Sequence, residues 1–312
     1  MIETTSVDGS TAPKRFRDVM PNCWDPSARL ADMALTRVTT QVLSTVPVMF
    51  AHWAKPQDAY DLHQWLNDHL AGLCQSHRSS DGHRPFVGLG VVTLTDPKLA
   101  CRELERCMGT LGLKGVQIGT HAAGVNLGDP RFRPFFRLAA ELGAGVFVHP
   151  WDMLGAERME RYWARWLVGM PAETALAITS VLFSGMLDEL PTLRMCFAHG
   201  AGAYPSIAGR VQHGFEARPD LCAIDNPRPP HAYLASSGGP GRFYADSLTH
   251  DPGQLRSLID LIGIERVALG SDYPFPLGEA CPGAMIDAMP EWTVEQRLRL
   301  LSGTAAEFLN LG

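Results

Sequence analysis

Little in this sequence points to a covalent scaffold, a membrane or a polyanionic partner. The seven cysteines (Cys23, Cys74, Cys101, Cys107, Cys196, Cys222 and Cys281) include no C-x-x-C pair. Their odd count, with no secretion signal, argues for reduced thiols and against a disulfide framework. Met1 opens onto "MIETTSVDGSTAPKRFR", which has no apolar signal core. No run approaches the ~18 uninterrupted apolar residues of a membrane span. A formal charge of −6 gives no electrostatic reason to expect nucleic acid or an anionic membrane as partner. The expectation is a soluble, cytoplasmic (cytosolic) protein with no nucleic-acid or membrane partner. No Gly-rich phosphate turn follows the first β-like run, which weakens the case for a dinucleotide-binding open sheet.

What is present is a regular alternation. With 46% hydrophobic residues in 312, the chain can bury a sizeable core. Seven short runs are nearly continuous in apolarity: 39–46, 86–92, 115–119, 145–149, 195–199, 242–247 and 266–272. This is the composition of parallel strands covered on both faces. Between them lie segments of helical period: 56–75, 97–112, 131–143, 202–215, 251–263 and 293–311. In the first, Tyr60, Leu62, Leu66, Leu70 and Leu73 recur every three to four residues, as a helix on a core requires. Asp96 and Pro97 open the second and Gly112 closes it. Repeated βα units predict an α/β fold with a parallel sheet, and the preferred form is a (β/α)8 TIM-like barrel. A doubly wound open sheet is the alternative. Seven runs leave the barrel one strand short. Residues 150–172, carrying Trp151, Trp163 and Trp166, and residues 216–241, rich in Pro, Gly and Ser, read as loop insertions.

Three of the runs finish on or near groups able to bind a metal or move a proton: His149, His199 and Asp272. In a barrel, strand C-termini meet at one mouth. Imidazole nitrogen and carboxylate oxygen are natural ligands of a catalytic divalent ion. Each residue alone has an ordinary structural role open to it; the joint pattern favours a metal or catalytic site. His63, His69 and His77 read as solvated on a polar helix face. His52 and His121 lie near strand ends, within reach of the mouth but with no evident partner in sequence, and Cys196 reads as packing. Arg210 follows Gly209 in an otherwise apolar helix, where its guanidinium must find water or an anion. Arg17, in "KRFRD", reads by default as exposed.

At this point the motifs become familiar. "NCWDPSARLADM", "WAKP", "GVQIGTH", "FVHPWDM", "WLVGMPAET", "CFAHG", "GRVQHGF" and "DYPFPLGE" resemble the 2-amino-3-carboxymuconate-6-semialdehyde decarboxylase family of the amidohydrolase superfamily, in order over about residues 16–311. The resemblance implies an amidohydrolase-type barrel that removes CO₂ from a dicarboxylate semialdehyde in the kynurenine pathway of tryptophan breakdown. It implies Zn²⁺ or another divalent metal and no organic cofactor. By motif, His149 and Asp272 resemble metal ligands, and His199 the histidine that activates water. Arg17 and Arg210 resemble carboxylate-binding arginines, Arg210 being delivered across a homodimer to the neighbouring site. Trp166 and Phe275 resemble pocket-lining residues.

The family's first strand carries a His-x-His pair of metal ligands, and this chain has no H-x-H. The resemblance therefore predicts that residues 1–15 are atypical, that residues 16–312 form a barrel lacking its first strand, and that metal affinity is weakened. A chain begun too late would account for this. Two other functions stay open: an impaired subunit lending Arg210 to a partner's site, and another amidohydrolase-type hydrolysis or aromatic-acid decarboxylation.

Overall fold

The computed structural model describes residues 19–78, 82–235 and 238–311. The chain divides into two units, Met1–Thr39 and Thr40–Gly312. In the first, a short turn at Pro21–Cys23 precedes the helix Pro26–Thr36. The Asp25 carboxylate caps that helix by accepting from the Ser27 N–H, and Arg37 closes it in the left-handed conformation at φ 58°. Asn22 donates to Asp32 at 3.0 Å.

The second unit is the barrel. Its strands are β1 (Gln41–Leu43), β2 (Phe86–Gly88), β3 (Gly90–Val91), β4 (Gly115–Gly119), β5 (His121–Ala122), β6 (Val125–Asn126), β7 (Gly145–His149), β8 (Arg194–Phe197), β9 (Tyr244–Asp246) and β10 (Val267–Ala268). β5 and β6 form a small antiparallel hairpin. β2 and β3 are halves of one extended run, joined at Leu89, whose N–H donates to the Leu43 carbonyl at 2.8 Å. That run pairs with β1 on one side and β4 on the other. The parallel order is then β1, β2–β3, β4, β7, β8, β9, β10, seven staves in chain order. A doubly wound sheet reverses direction at a switch point, and this one never does. Six of the seven apolar runs in the sequence contain one whole stave, and the run 195–199 holds all of β8 but Arg194. Among the described residues, β1 and β10 are the outer members.

The sheet is curved enough for distant staves to touch inside it. Leu89 packs in one buried cluster with Cys196 of β8, Tyr244 of β9 and the C-terminal residues Phe308 and Leu309. Ser44, just past β1, donates to Gln117 of β4 at 2.6 Å, and the Gln117 amide donates back to the Thr45 carbonyl at 2.9 Å. These groups belong to staves that are not neighbours. In a flat sheet they would lie roughly 9–10 Å apart. The register fixes which residues point inward: Phe147 is level with Cys196, and Cys196 with Tyr244. Gly115 (φ 151°) must lack a side chain, because a Cβ there would sit 1.9 Å from the Gly145 carbonyl oxygen.

The helices fall close to their sequence signals. Asp96 and Asp251 cap Pro97–Glu105 and Pro252–Ile262 with their carboxylates, and Thr293 with Gln296 forms a capping box for Val294–Leu298. Of residues 150–172, the last eight already belong to a continuous helix, Arg165–Phe183, which begins in a π turn. By length and a mean hydropathy of 1.4 it could cross a membrane, but Met170, Thr174, Ile178 and Val181 are buried within the protein. The stretch 216–241 is not wholly extended: it holds the helical turns Pro219–Cys222 and Pro230–Tyr233, with Tyr233 and Leu234 buried.

One expectation is overturned. His63 is not on a solvated face but fully buried in the helix Pro56–Ser76. The buried stripe runs through Tyr60, His63, Asn67, Leu70 and Cys74, with Leu62, Leu66 and Leu73 to its side. Two polar residues can occupy its centre because each is satisfied. Asn67 exchanges hydrogen bonds with the Val91 backbone at 2.9 and 2.8 Å and donates to Glu103 at 2.7 Å. His63 donates from Nε2 to the Met49 carbonyl at 2.9 Å and accepts at Nδ1 from the Thr93 hydroxyl at 2.8 Å.

Burial outweighs those bonds and lowers the His63 pKa from 6.5 to about 4. A histidine depressed in the folded state takes up its proton first in the unfolded one. Its contribution to stability is complete above pH 6.5 and is lost as pH falls towards 4, by about 1.4 kcal/mol per unit. Urea melts at pH 7 and pH 4.5 should show wild type losing about 2–3 kcal/mol more than His63→Gln; equal losses would show that His63 is not the titrating group.

Candidate metal centre

Strand parity places the first ligand. In β7, Val146 and Val148 face outward and are fully buried against the surrounding layer, so Phe147 and His149 face the barrel interior. Phe147 joins the inner cluster and His149 stands one pleat above it, at the mouth. Its Nδ1–H donates to the Pro150 carbonyl at 2.9 Å. That fixes the tautomer and leaves the Nε2 lone pair for an electrophile. Burial, and next the neighbouring His199, hold its pKa well below the ordinary value, so the ring is neutral at pH 7, the form that ligates a metal.

His199 arrives differently. Cys196 faces inward, so simple alternation would turn residue 199 outward. The strand instead stops at Phe197, and His199, Gly200, Ala201 and Gly202 adopt positive φ of 58°, 60°, 64° and 59°. This left-handed run swings the imidazole back over the mouth. Its ring centre lies 4.8 Å from that of His149, edge to face at 79°. Asp246, the inward-facing last residue of β9, holds the turn. Its Oδ2 accepts from the His199 N–H at 3.0 Å, and its Oδ1 from Gly200 at 2.8 Å and Leu248 at 3.1 Å. Gly202 permits the close approach of the helix Arg165–Phe183, since a Cβ there would meet the Pro171 carbonyl at 2.5 Å.

Asp272 lies four residues beyond β10, at φ 50°. Its carbonyl accepts from Phe275 N–H at 2.9 Å, and Glu279 N–H donates to the Ser271 carbonyl at 2.8 Å, closing a tight loop. The ligand atoms of His149, His199 and Asp272 all lie within 4.8 Å of one another, each residue half-buried. Among the described residues this is the group whose donors could hold a metal ion. Two imidazoles and a carboxylate suit zinc and also manganese.

The other expected residues are not part of this triad. Trp166 sits half-buried in the π turn Arg165–Gly169, its ring 5.9 Å from that of Trp163. Phe275 is half-buried in the Asp272 loop. Arg210 is exposed on the helix Tyr204–Ala217. Arg17 lies outside the described residues. Two features escaped the sequence reading. Asp246 is one; its only signal was a carboxylate at inward parity two residues after Tyr244. The other is Asp152, the partner that His52 and His121 share beside the mouth. His121 donates to the Asp152 carbonyl at 3.0 Å and accepts from Gly124 N–H at 3.0 Å, while His52 Nδ1 lies 3.6 Å from the Asp152 carboxylate.

Comparison with known proteins agrees with this picture. The family model described as amidohydrolase matches residues 9–311. The chain is 49% identical, over 98% of its length and 81% of the relative, to 2-amino-3-carboxymuconate-6-semialdehyde decarboxylase of Dictyostelium discoideum. It is 37% identical to the protein of the same name from Caenorhabditis elegans, over 96% of this chain and 84% of that one. Among solved structures, dihydroxybenzoic acid decarboxylase from Polaromonas, with bound manganese and the inhibitor 2-nitroresorcinol, superposes with a TM-score of 0.76 at 22% identity. That likeness covers 96% of this chain and 88% of that one, and concerns the fold alone.

If Asp246 positions His199, then Asp246→Ala should lower turnover roughly 10–100-fold, as loss of supporting hydrogen bonds does, while a folded variant keeps its affinity for zinc and manganese. An activity assay beside calorimetric titration with both metals measures this; unchanged turnover in a folded variant would refute the role.

Proposed function

This chain belongs to the amidohydrolase family, and we propose that it is a metal-dependent carboxy-lyase that removes CO₂ from 2-amino-3-carboxymuconate 6-semialdehyde, in the kynurenine pathway of tryptophan catabolism. The observation that carries the reading is the convergence of His149, His199 and Asp272 at the barrel mouth, in a chain whose relatives at 49% and 37% identity bear that enzyme's name. The donor set fits a divalent ion. Zinc is the proposed metal because an imidazole and a carboxylate are among its usual ligands, with His199 beside them to move a proton. When bound, such an ion supplies Lewis acidity and makes water acidic near neutral pH.

The chain's own residues do the rest. His149 and Asp272 are the proposed ligands. His149 is kept neutral by burial and aimed by the Pro150 carbonyl. His199 holds and moves a proton at its ring nitrogen, taken from water and given to the substrate carbon, the hydroxide left behind and the CO₂ released together amounting to bicarbonate. Breaking the C–C bond leaves its electron pair on the organic fragment, and that carbon must take up a proton once CO₂ has gone. Arg17 and Arg210 are the proposed carboxylate anchors, since guanidinium forks bind carboxylates bidentately. Trp166 and Phe275 would wall the pocket against water.

Arg210 is exposed in its own chain, which suits delivery to the site of a second copy. The functional unit proposed is therefore a homodimer. Seven unbridged cysteines suit a reducing compartment such as the cytosol. With no H-x-H pair in the sequence, the metal rests on the donors named here, and its affinity is proposed to be lower than that of a four-ligand site.

The test follows loss of the semialdehyde's absorbance with zinc, with manganese and after chelation. Activity should depend on the metal, and His149→Ala or Asp272→Asn should reduce kcat by at least about 100-fold. Hydrolysis of another substrate with the semialdehyde left intact would overturn the reading. The shared site has its own test. Arg210→Ala and His199→Ala should each be inactive alone. Mixed and randomly re-associated, they should recover roughly a quarter of wild-type activity, because each heterodimer then holds one intact site. No recovery would place Arg210 elsewhere.

A further inference from the structure

Away from the metal centre, at the N-terminal ends of the staves, the barrel has a cavity of about 430 Å³. Three arginines line it: Arg194 at the start of β8, Arg242 just before β9 and Arg266 just before β10. Tyr244, Thr192 and Asn310 add neutral polar groups. No carboxylate is among the lining residues.

The guanidinium groups are held mainly by backbone carbonyls. Arg194 donates to the carbonyls of Glu307, at 2.9 Å, and Gly143. Arg242 donates from Nη2 to those of Leu187 and Pro191, at 2.9 and 3.2 Å. Arg266 donates to the Gly241 carbonyl at 2.7 Å and pairs with Glu307 at 2.9 Å. Glu307 pairs with Arg266 and Arg299 and also acts on Arg194, so one carboxylate faces three guanidinium groups. Among the described residues, the ion pairs include neither Arg194 nor Arg242, whose described hydrogen bonds go to backbone carbonyls. Burial holds the Arg194 pKa below its ordinary value, although Tyr244 and Glu307 act in the opposite direction.

Fixed, partly desolvated cations around a cavity form an anion site in which little side-chain entropy remains to be lost. A planar carboxylate is served by a single guanidinium. A phosphate group, with up to two charges and three terminal oxygens, suits several. The volume exceeds that of bare phosphate and falls within the range of small-molecule pockets. We propose that this cavity is a second ligand site, for a small phosphate-bearing molecule, on the barrel face opposite the metal centre.

Calorimetric titration of the full chain at constant ionic strength tests this with three probes: inorganic phosphate, a nucleoside monophosphate and acetate. Phosphate should bind saturably, one per chain, the monophosphate more tightly, and acetate not measurably. Arg242→Gln removes a cation, and Asn310→Asp adds a carboxylate at an exposed, isosteric position. Each should weaken phosphate binding by about tenfold or more, the worth of one charge-assisted hydrogen bond, with metal binding unchanged. The proposal fails if neither phosphate probe binds saturably, if acetate binds as well as phosphate, or if either folded variant keeps wild-type affinity.

Discussion

The metal centre depends on one carboxylate and the turn it secures. Four consecutive residues, His199 to Gly202, sit at positive φ, two of them without the freedom of glycine. Such backbone costs of order 1 kcal/mol or more per non-glycine residue, and it persists only where its surroundings hold it. Here the holding group is Asp246, whose two oxygens accept three backbone N–H groups. Hydrogen bonds to an ionised acceptor are the strong ones, and the turn is where the strained residues meet them. From the other side the helix Arg165–Phe183 presses close, Ala203 N–H donating to the Pro171 carbonyl at 3.0 Å. Without that clamp, β8 would carry its imidazole away from the mouth.

The barrel supplies the remaining constraint. Inward parity along β7 puts His149 directly above Phe147, and the pleat of β9 does the same for Asp246 above Tyr244. Below them the interior is closed by Leu89, Cys196, Tyr244 and Phe308. The packed floor and the polar rim are therefore alternate residues of the same strands. Stability is concentrated at one level and chemistry at the next, an arrangement general to this architecture.

Much of this is legible in the sequence. Each of the seven apolar runs holds a stave, one of them all but its first residue, and the caps at Asp96 and Asp251 fall where the carboxylates stand before a proline. His149 is legible for the right reason, since strand period alone directs it inward. His199 is legible for the wrong one: it reads as a strand ending, whereas its position comes from the turn beyond the strand. Asp246 and His63 are not legible, because their partners lie 46–47 and 14–30 residues away, and no local pattern records such distances. A histidine on a helix reads as solvated until Thr93 and the Met49 carbonyl are brought to it. The π turn that opens Arg165–Phe183 likewise hides the start of a helix within a Trp-rich stretch that reads as loop. Arg210 is legible through the family motif, and its exposed place on the helix Tyr204–Ala217 suits the proposed delivery to a second copy.

The central claim is that one divalent ion is held by His149 at the end of β7 and Asp272 beyond β10, with the His199 imidazole from beyond β8 beside it. X-ray absorption spectroscopy of the metal-loaded protein tests it most directly, because imidazole shells scatter distinctively. The expected spectrum has only nitrogen and oxygen in the first shell, at about 2.0–2.2 Å for zinc. Its imidazole signal should diminish in His149→Ala, and the bound metal should fall in Asp272→Asn. A sulfur shell from one of the cysteines, or a spectrum that neither substitution alters, would place the ion elsewhere and contradict the account.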